Sequence, residues 1–184
     1  MMILRKKIFF RKGMRENDMI KDLRVDDRLI HGQIALTWPK ALDIKRIVVA
    51  SDAASQDKTQ QMSLKMALPS DIKALIRSVD ETIDFFNNPK AQEANLMVIV
   101  GNVTDAERLA QALGAMIERV NLANVGRFDG VPKEEKKALG SSILLSKKEQ
   151  EALDRLIKIP NLKIVHQIIP DNSEKKIEEM LSNK

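Results

Sequence analysis

Residues 20–50, IKDLRVDDRLIHGQIALTWPKALDIKRIVVA, place a helical pattern between two short apolar runs. The runs cover residues 20–25 and 44–50, and apolar residues recur with a helical period over residues 32–42. This order is typical of a βαβ unit, in which two parallel strands are joined by a helix. Pro39 lies inside the helical segment, so we expect the helix to kink or to be interrupted there.

The same alternation continues along the rest of the chain. Further apolar runs cover residues 72–77, 95–100, 119–125, 141–146 and 162–169. Segments of helical period cover residues 55–68, 79–88, 104–117, 146–158 and 173–183. We therefore predict a single α/β domain with a mostly parallel central sheet of six or seven strands and helices on both faces.

Composition excludes several classes of function. The chain has 184 residues, of which 43% are hydrophobic and 31% charged, as in an ordinary globular domain. No apolar run approaches the roughly 20 residues that a membrane-spanning helix needs, so we expect a soluble protein. Cysteine is absent, which excludes disulfides, cysteine-zinc sites, iron-sulfur clusters and thiol catalysis, and which permits a reducing compartment.

The net charge of +5 is concentrated at the N-terminus. Residues 1–18, MMILRKKIFFRKGMREND, carry +4, which leaves +1 for residues 19–184. We expect residues 1–18 to be a basic extension that is disordered or not native, or else an arm that touches a membrane or an acidic partner, and residues 19–184 to form the domain. The nearly neutral body, with 3% aromatic residues in the chain, argues against nucleic-acid binding.

The stretch RVDDRLIHGQ, residues 24–33, places one of only two histidines after the first predicted strand. In an open parallel sheet, ligands bind where the carboxyl ends of strands meet the following loops and helices. Gly32 allows a tight turn, and the backbone N–H groups at a helix start form an anion site beside His31. His31 is therefore a candidate general acid or base, or a nucleophile that carries a group on a ring nitrogen.

The neighbouring charges favour the nucleophile. Arg24 or Arg28 can neutralise a phosphate, and Asp26 or Asp27 can hold one ring nitrogen as N–H while the other keeps its lone pair. Spacing alone leaves open which acid meets the histidine, and equally that His31 is only a loop or capping residue. No Walker-type loop or G-x-G-x-x-G fingerprint is present, so nothing indicates a bound nucleotide.

Residues 24–34 closely resemble the signature of the mannose, fructose and sorbose family of phosphotransferase system enzyme IIB components. That signature reads arginine, aliphatic, aspartate, any residue, arginine, leucine, isoleucine, histidine, glycine, glutamine, aliphatic. The similarity continues through residues 47–73, IVVASDAASQDKTQQMSLKMALPSDIK, and through NVGR at 124–127. It extends from about Met19 to the C-terminus.

The resemblance implies a cytoplasmic phosphocarrier that associates peripherally with a membrane permease. His31 would accept a phosphoryl group on Nδ1 from a phosphohistidine of a IIA partner, and would pass it to a sugar that enters through membrane IIC and IID partners. The aspartate and second arginine of the motif align with Asp26 and Arg28. No cofactor and no metal are implied, and a second copy of the chain is a further candidate partner.

Three further positions would bind phosphate in this interpretation. Gly32 and Gln33 would offer backbone donors, and Arg24 would offer charge. Arg127 stands where relatives often have glycine, and we expect it to be either a phosphate contact or a solvated loop residue. It lies in the longest predicted loop, residues 126–140, and loops of that length are often functional.

Two other classes of function remain open. The same pocket in a regulatory module would bind a phosphorylated ligand without being phosphorylated, and a hydrolase or isomerase would use His31 as a general base.

Three residues outside the stretch at 24–33 have two interpretations each. His166 is a packed histidine or a second phosphorylation site, Asp52 is a helix cap or faces the same crevice, and Trp38 is a core residue or an apolar contact for a partner.

Overall fold

The computed structural model describes residues 20–88 and 95–182, so the basic extension predicted for residues 1–18 lies outside the described residues. The strands are β1 (Ile20–Asp26), β2 (Arg46–Ala50), β3 (Lys73–Arg77), β4 (Leu96–Val100), β5 (Val120–Asn124), β6 (Lys137–Ala138), β7 (Leu144–Leu145), β8 (Ile164–His166) and β9 (Lys175–Lys176). The α-helices are α1 (Gly32–Ala41), α2 (Asp52–Gln56), α3 (Lys58–Met66), α4 (Val79–Asn87), α5 (Val103–Leu113), α6 (Lys147–Ile157) and α7 (Ile177–Ser182).

Seven of these strands form one sheet in the order β3-β2-β4-β1-β5-β8-β9. β1 lies in the middle and pairs in parallel with β4 and β5, and the pairs β2–β3, β2–β4 and β5–β8 are also parallel. Only β9, at the edge, runs antiparallel to its neighbour. The predicted mostly parallel sheet of six or seven strands is therefore confirmed.

The sheet is covered on both faces, as predicted. Leu23 and Val25 of β1 point into one core, which α4, α5, α6 and α7 close. The opposite face is covered by α1, α2 and α3, which contribute Ile34, Ala54 and Leu64 to a second core. Because successive residues of a strand point to opposite faces, Arg24 and Asp26 lie on the side of the second core.

Two segments differ from their predicted secondary structure or place in the sheet. The run at residues 141–146 yields only β7, which pairs antiparallel with β6 in a separate two-stranded sheet. The seventh place in the central sheet is taken by β9, from a segment predicted to be helical, and the last helix begins only at Ile177. Both residues of β9 are exposed lysines, a composition that suits an edge strand.

Two helix predictions also differ from the structure. The helix α1 is not interrupted at Pro39 and continues to Ala41. The segment at residues 55–68 is divided at Asp57, whose carboxylate accepts a hydrogen bond from the backbone N–H of Gln60 at 2.9 Å. A side chain that caps a new helix in this way competes with continuation of the preceding one.

The adjacent strands β1 and β4 send their following helices to opposite faces. The helix α1 packs on the second core and α5 on the first. The loops after the two strands therefore diverge at the carboxyl edge of the sheet, which is where ligands bind in folds of this type. The segment from Asp26 to His31 lies at this point.

Candidate functional site

The loop from β1 to α1 is a tight turn made by Leu29. The backbone N–H of Leu29 donates to the carbonyl oxygen of Asp26 at 2.9 Å, and Leu29 has φ 57°. A left-handed leucine costs on the order of 1–2 kcal/mol, which burial of Leu29 and Ile30 in the second core offsets. Gly32, predicted to make this turn, does not have a left-handed backbone.

His31 occupies the N-cap position of α1 with an extended backbone, and its side chain is 16% exposed. Its carbonyl oxygen accepts the first helical hydrogen bond, from Ala35, at 2.9 Å. Within the described residues, no side chain caps the first turn of α1 and no acidic residue lies in it. A β-carbon at Gly32 would meet nothing within 4 Å, so the space beside its Cα is open. The start of α1 can therefore receive an anion next to His31.

Asp26 is the acid that meets His31. Its side chain is fully buried, and Oδ2 lies 3.2 Å from Nε2 of the histidine. The carboxylate also accepts hydrogen bonds from Asn124 Nδ2 at 2.9 Å, from the backbone N–H of Arg28 at 3.2 Å and from Arg24 Nη2 at 3.3 Å. Spacing left a choice between Asp26 and Asp27, and the geometry selects Asp26.

The ionisation of Asp26 determines which ring nitrogen of His31 faces it as a donor. Burial raises the pKa of the Asp26 carboxyl, but the hydrogen bond from His31, the charge of Arg24 and the hydrogen bond from Asn124 outweigh it, so this pKa lies below its ordinary value of 3.8. Asp26 is thus ionised and can only accept hydrogen bonds. Nε2 of His31 must then carry a hydrogen, so that in the neutral form of the ring it is Nδ1 that keeps its lone pair.

Asp27 has a different partner, Arg127. Its Oδ2 accepts from the backbone N–H of Arg127 at 2.9 Å and from Nε at 3.1 Å, and Oδ1 accepts from Nη2. The side-chain hydrogen bonds to Asp27, together with its charge, raise the pKa of Arg127. The pair holds Nη2 of Arg127 4.0 Å from Oδ1 of Asp26, so Arg127 lies beside the site.

Two arginines of the site reach solvent, and one does not. The side chains of Arg28 and Arg127 are 39% and 33% exposed, and Nε of Arg28 lies 3.9 Å from Oδ1 of Asp26. Arg24 is 1% exposed and donates to Asp26 and to the carbonyl oxygens of Gln167 and Ile168. Arg24, predicted as a direct phosphate contact, therefore lies beneath the site.

A cavity of about 580 Å³ opens beside Asp27, at the ends of β4 and β5 and the starts of α5 and α6. Its wall includes Gly101, Phe128 and Lys147. Phe128 is 70% exposed, and the guanidinium carbon of Arg127 lies 5.5 Å from its ring centre. The carboxyl edge of the sheet thus combines charge, an open recess and an exposed aromatic ring.

Three residues for which the sequence left two interpretations make contacts within the fold: His166, Asp52 and Trp38. Nδ1 of His166 donates to the carbonyl oxygen of Leu122 at 2.6 Å. Asp52 accepts from the backbone N–H of Val79 at 2.9 Å, at the start of α4. Trp38 is 1% exposed, which makes it a core residue, so the alternative that it offers an apolar contact to a partner is wrong.

Three buried residues beneath the site were not among the predicted site residues: Asn121, Asn124 and Gln167. Asn124 is 6% exposed and donates to Asp26, as described above. Polar residues at 121 and 124 within an otherwise apolar strand were the available signal, because a buried polar side chain needs a partner. Gln167 gave the same signal, since it is a polar residue within the apolar run at residues 162–169.

No helix within residues 20–88 and 95–182 has the length and apolar character needed to cross a membrane. The same described part of the chain holds no group of three or more histidine, aspartate or glutamate side chains that could bind a metal ion.

Comparison with known proteins gives a consistent result. A family model described as "PTS system sorbose subfamily IIB component" matches residues 20–184. A probable phosphotransferase enzyme IIB component of Streptococcus pyogenes serotype M6 is 41% identical over 164 residues, which are 89% of this chain and 100% of that protein. The mannose-specific EIIAB component of Escherichia coli K12 is 33% identical over 79% of this chain, which spans only 44% of that longer protein.

Structural comparison supports the fold. The IIB domain of the sorbose permease from Klebsiella pneumoniae superimposes with a TM-score of 0.79 at 23% identity, and the match covers 90% of this chain and 98% of that domain. The arrangement of strands and helices described above is therefore shared with that domain.

Proposed function

Because this chain belongs to the sorbose subfamily of IIB components of the phosphotransferase system, and so takes part in sugar uptake, we propose that His31 is its phosphorylated residue. The observation that carries the proposal is the 3.2 Å contact between Nε2 of His31 and Oδ2 of the buried Asp26. It leaves Nδ1 as the free nucleophile. We propose that residues 19–184 form the functional domain, a proposal supported by the family model, which matches residues 20–184.

In the first transfer, the Nδ1 lone pair of His31 attacks the phosphorus atom of a phosphohistidine on a IIA partner. An Nδ1–P bond forms, the P–N bond of the donor breaks, and the donor imidazole leaves with that electron pair. Nε2–H remains hydrogen-bonded to Asp26 throughout. The ring does not rotate, so the nucleophile stays aligned for in-line displacement.

In the second transfer, a sugar hydroxyl attacks the same phosphorus atom. The Nδ1–P bond breaks, its electron pair returns to Nδ1, and the hydroxyl proton passes to water. His31 is then restored to the form that accepts the next phosphoryl group. The sugar is delivered by membrane IIC and IID partners, and the chain acts as a cytoplasmic protein that docks on them.

The charge of the phosphoryl group is met by groups at the carboxyl edge of the sheet. Arg28 and Arg127 are solvent-exposed and lie within about 4 Å of Asp26. Backbone N–H groups of Gly32 and Gln33 add donors at the start of α1. Phosphoryl transfer depends mainly on positioning the reacting atoms and on neutralising the negative charge that is spread over the phosphoryl oxygens. The arginines and the backbone N–H groups supply this neutralisation. Arg24 acts only through Asp26, which revises the expectation that it contacts phosphate.

Partner proteins approach the same edge. Leu36, on the second turn of α1, and Phe128, next to Arg127, are 71% and 70% exposed, and the residues around them are mostly polar. A surface with few apolar contacts suits transient encounters, which bury less area than stable complexes. His31 can then meet a IIA partner and the membrane partners in turn.

The test is phosphoryl transfer from a phosphorylated IIA partner, followed by intact mass under alkaline conditions that preserve phosphohistidine. Wild type and His166→Ala should each gain one phosphate, and His31→Ala should gain none. Phosphate on His31→Ala would place the acceptor elsewhere. Wild type that stays unmodified with several competent donors would refute the carrier and favour a module that only binds a phosphorylated ligand.

A further inference from the structure

The chain after β8 covers a polar part of the sheet. Residues 167–172 fold over the face of β1 and β5 on which buried polar side chains lie: Asp22, Arg24, Asp26, Asn121 and Asn124. These side chains take the place of an apolar core at this point. Each needs a hydrogen-bond partner, because an unpaired buried polar group costs about 1–3 kcal/mol.

Gln167 holds this covering segment in place. Its side-chain Nε2 donates to the carbonyl oxygens of Pro170 at 3.1 Å and Asn172 at 2.8 Å, which closes a turn. Its Oε1 accepts from Nη1 of Arg119 at 3.2 Å, and its backbone N–H donates to Oδ1 of Asn121 at 2.9 Å. With 9% of its surface exposed, Gln167 uses both ends of its amide to fix the backbone around it.

The closed turn presents two carbonyl oxygens to Arg24. Nη1 of Arg24 donates to the carbonyl oxygen of Gln167 at 3.2 Å, and Nη2 donates to that of Ile168 at 2.9 Å. Nη2 also reaches Oδ2 of Asp26 at 3.3 Å, the same oxygen that accepts from Nε2 of His31. A chain of direct contacts therefore runs from Gln167 through Arg24 and Asp26 to His31.

We propose that Gln167 is a positioning residue for phosphoryl transfer, which it serves by holding Arg24 on main-chain carbonyls so that Asp26 remains available to His31. The inference rests on the proposed role of His31. A buried guanidinium must find acceptors, and Asp26, which already accepts from Nη2, can form a bidentate pair with it. That pair would compete with Nε2 of His31 for Oδ2, and the ring would lose the contact that orients Nδ1.

The first test compares Gln167→Glu with Asn172→Ala. The glutamate keeps the size of the side chain but places an acceptor oxygen against two carbonyl oxygens, so the turn opens. Asn172 is exposed and contributes its main-chain carbonyl to this turn, so Asn172→Ala is the matched control. We expect Gln167→Glu to lower the rate of His31 phosphorylation at saturating phosphorylated IIA about tenfold, with the half-saturating concentration unchanged, because docking at the surface is intact. Asn172→Ala should match wild type.

The second readout is ¹⁵N NMR of the His31 ring, assigned with His31→Ala. Wild type should show the Nε2–H tautomer, and Gln167→Glu should gain a Nδ1–H population while its urea midpoint shows that it remains folded. If Gln167→Glu does not fold, Gln167→Met, which removes the donors without adding charge, replaces it. A folded variant with unchanged maximal rate and unchanged ring signals overturns the inference. Wild type that accepts no phosphate would instead contradict the proposed function, and the ring signals, which need no donor, would still decide the role of Gln167.

Discussion

Oδ2 of Asp26 and Nε2 of His31, five positions apart in the sequence, lie 3.2 Å from each other. The carboxylate belongs to the buried end of β1, whereas the ring is partly exposed at the start of α1. One residue is thus held by the core and the other is accessible to partners. This relationship allows a partly exposed histidine to keep a defined ring orientation.

Replacing Asp26 by asparagine should impair both transfer and stability. The neutral amide can present its N–H₂ group to His31, which favours the wrong tautomer, and we expect the transfer rate to fall about 10²-fold or more. Arg24 would also lose a buried partner, at a cost of about 3 kcal/mol in the free energy of unfolding. Single-turnover phosphorylation and urea unfolding measure the two effects.

Asp27→Asn is the matched control for that change. It removes the same charge one residue away and weakens the pair with Arg127, but leaves the Asp26–His31 contact intact. Its transfer rate should therefore stay well above that of Asp26→Asn. Equal losses in the two variants would show that net charge, not the contact with His31, determines the rate.

The stability contributed by Asp26 should depend on pH in a defined direction. Its pKa in the folded protein lies below the ordinary value of 3.8, so its stabilising effect is fully present above that value and is lost as pH falls through the folded pKa. The difference in free energy of unfolding between wild type and Asp26→Asn should be constant at neutral pH and shrink below about pH 3.8. Urea titrations at a series of pH values measure it. A difference that grows on acidification would contradict the assignment.

Gly126→Ala should be more destabilising than Gly130→Ala. Both glycines have a left-handed backbone, with φ 84° and 76°, so alanine is strained at either position, by on the order of 1–2 kcal/mol. A β-carbon at Gly126 would lie 1.9 Å from the carbonyl oxygen of Leu144, whereas one at Gly130 meets nothing within 4 Å. Thermal unfolding should show the larger loss for Gly126→Ala. Similar losses of thermal stability in the two variants would show that the backbone near Leu144 moves away from the added methyl group at little cost.

Arg28→Ala should slow phosphoryl transfer with little effect on folding. The side chain is 39% exposed and lies 3.9 Å from Asp26, so its ion pair contributes less than about 1 kcal/mol to stability. Loss of a charge beside the transferred group should lower the rate by at least about tenfold. Arg108→Ala is the control, because that side chain is also 39% exposed but pairs with Asp52 and Asp80. Equal transfer rates for the two variants would show that Arg28 does not contribute to phosphoryl transfer.

The sequence predicted those features that local patterns encode. Long apolar runs such as residues 95–100 became buried parallel strands, and the histidine after β1 lies at the sheet edge where ligands bind. The strand β9 was missed because two residues carry no periodic signal, and its existence depends on pairing with β8. Residues 141–146 look like a strand, but only a tertiary contact decides which sheet such a segment joins.

The sequence predicted which residues form the site better than it predicted which of them contact one another. The role of Arg24 depends on residues 167 and 168, more than 140 positions away, whose carbonyl oxygens it meets in the core. No local pattern indicates that a charged strand residue will be covered by a distant segment. The choice between Asp26 and Asp27 has the same cause, since it depends on which carboxylate faces inward at the end of β1.

The most direct measurement is ¹⁵N and ³¹P NMR of the protein after phosphorylation by a IIA partner, with ¹⁵N-labelled histidine. Phosphorus coupled to Nδ1 of His31, with Nε2 still carrying its hydrogen, is the predicted result. Phosphorus on Nε2 of His31, or on His166, would contradict the proposed role of the Asp26–His31 contact.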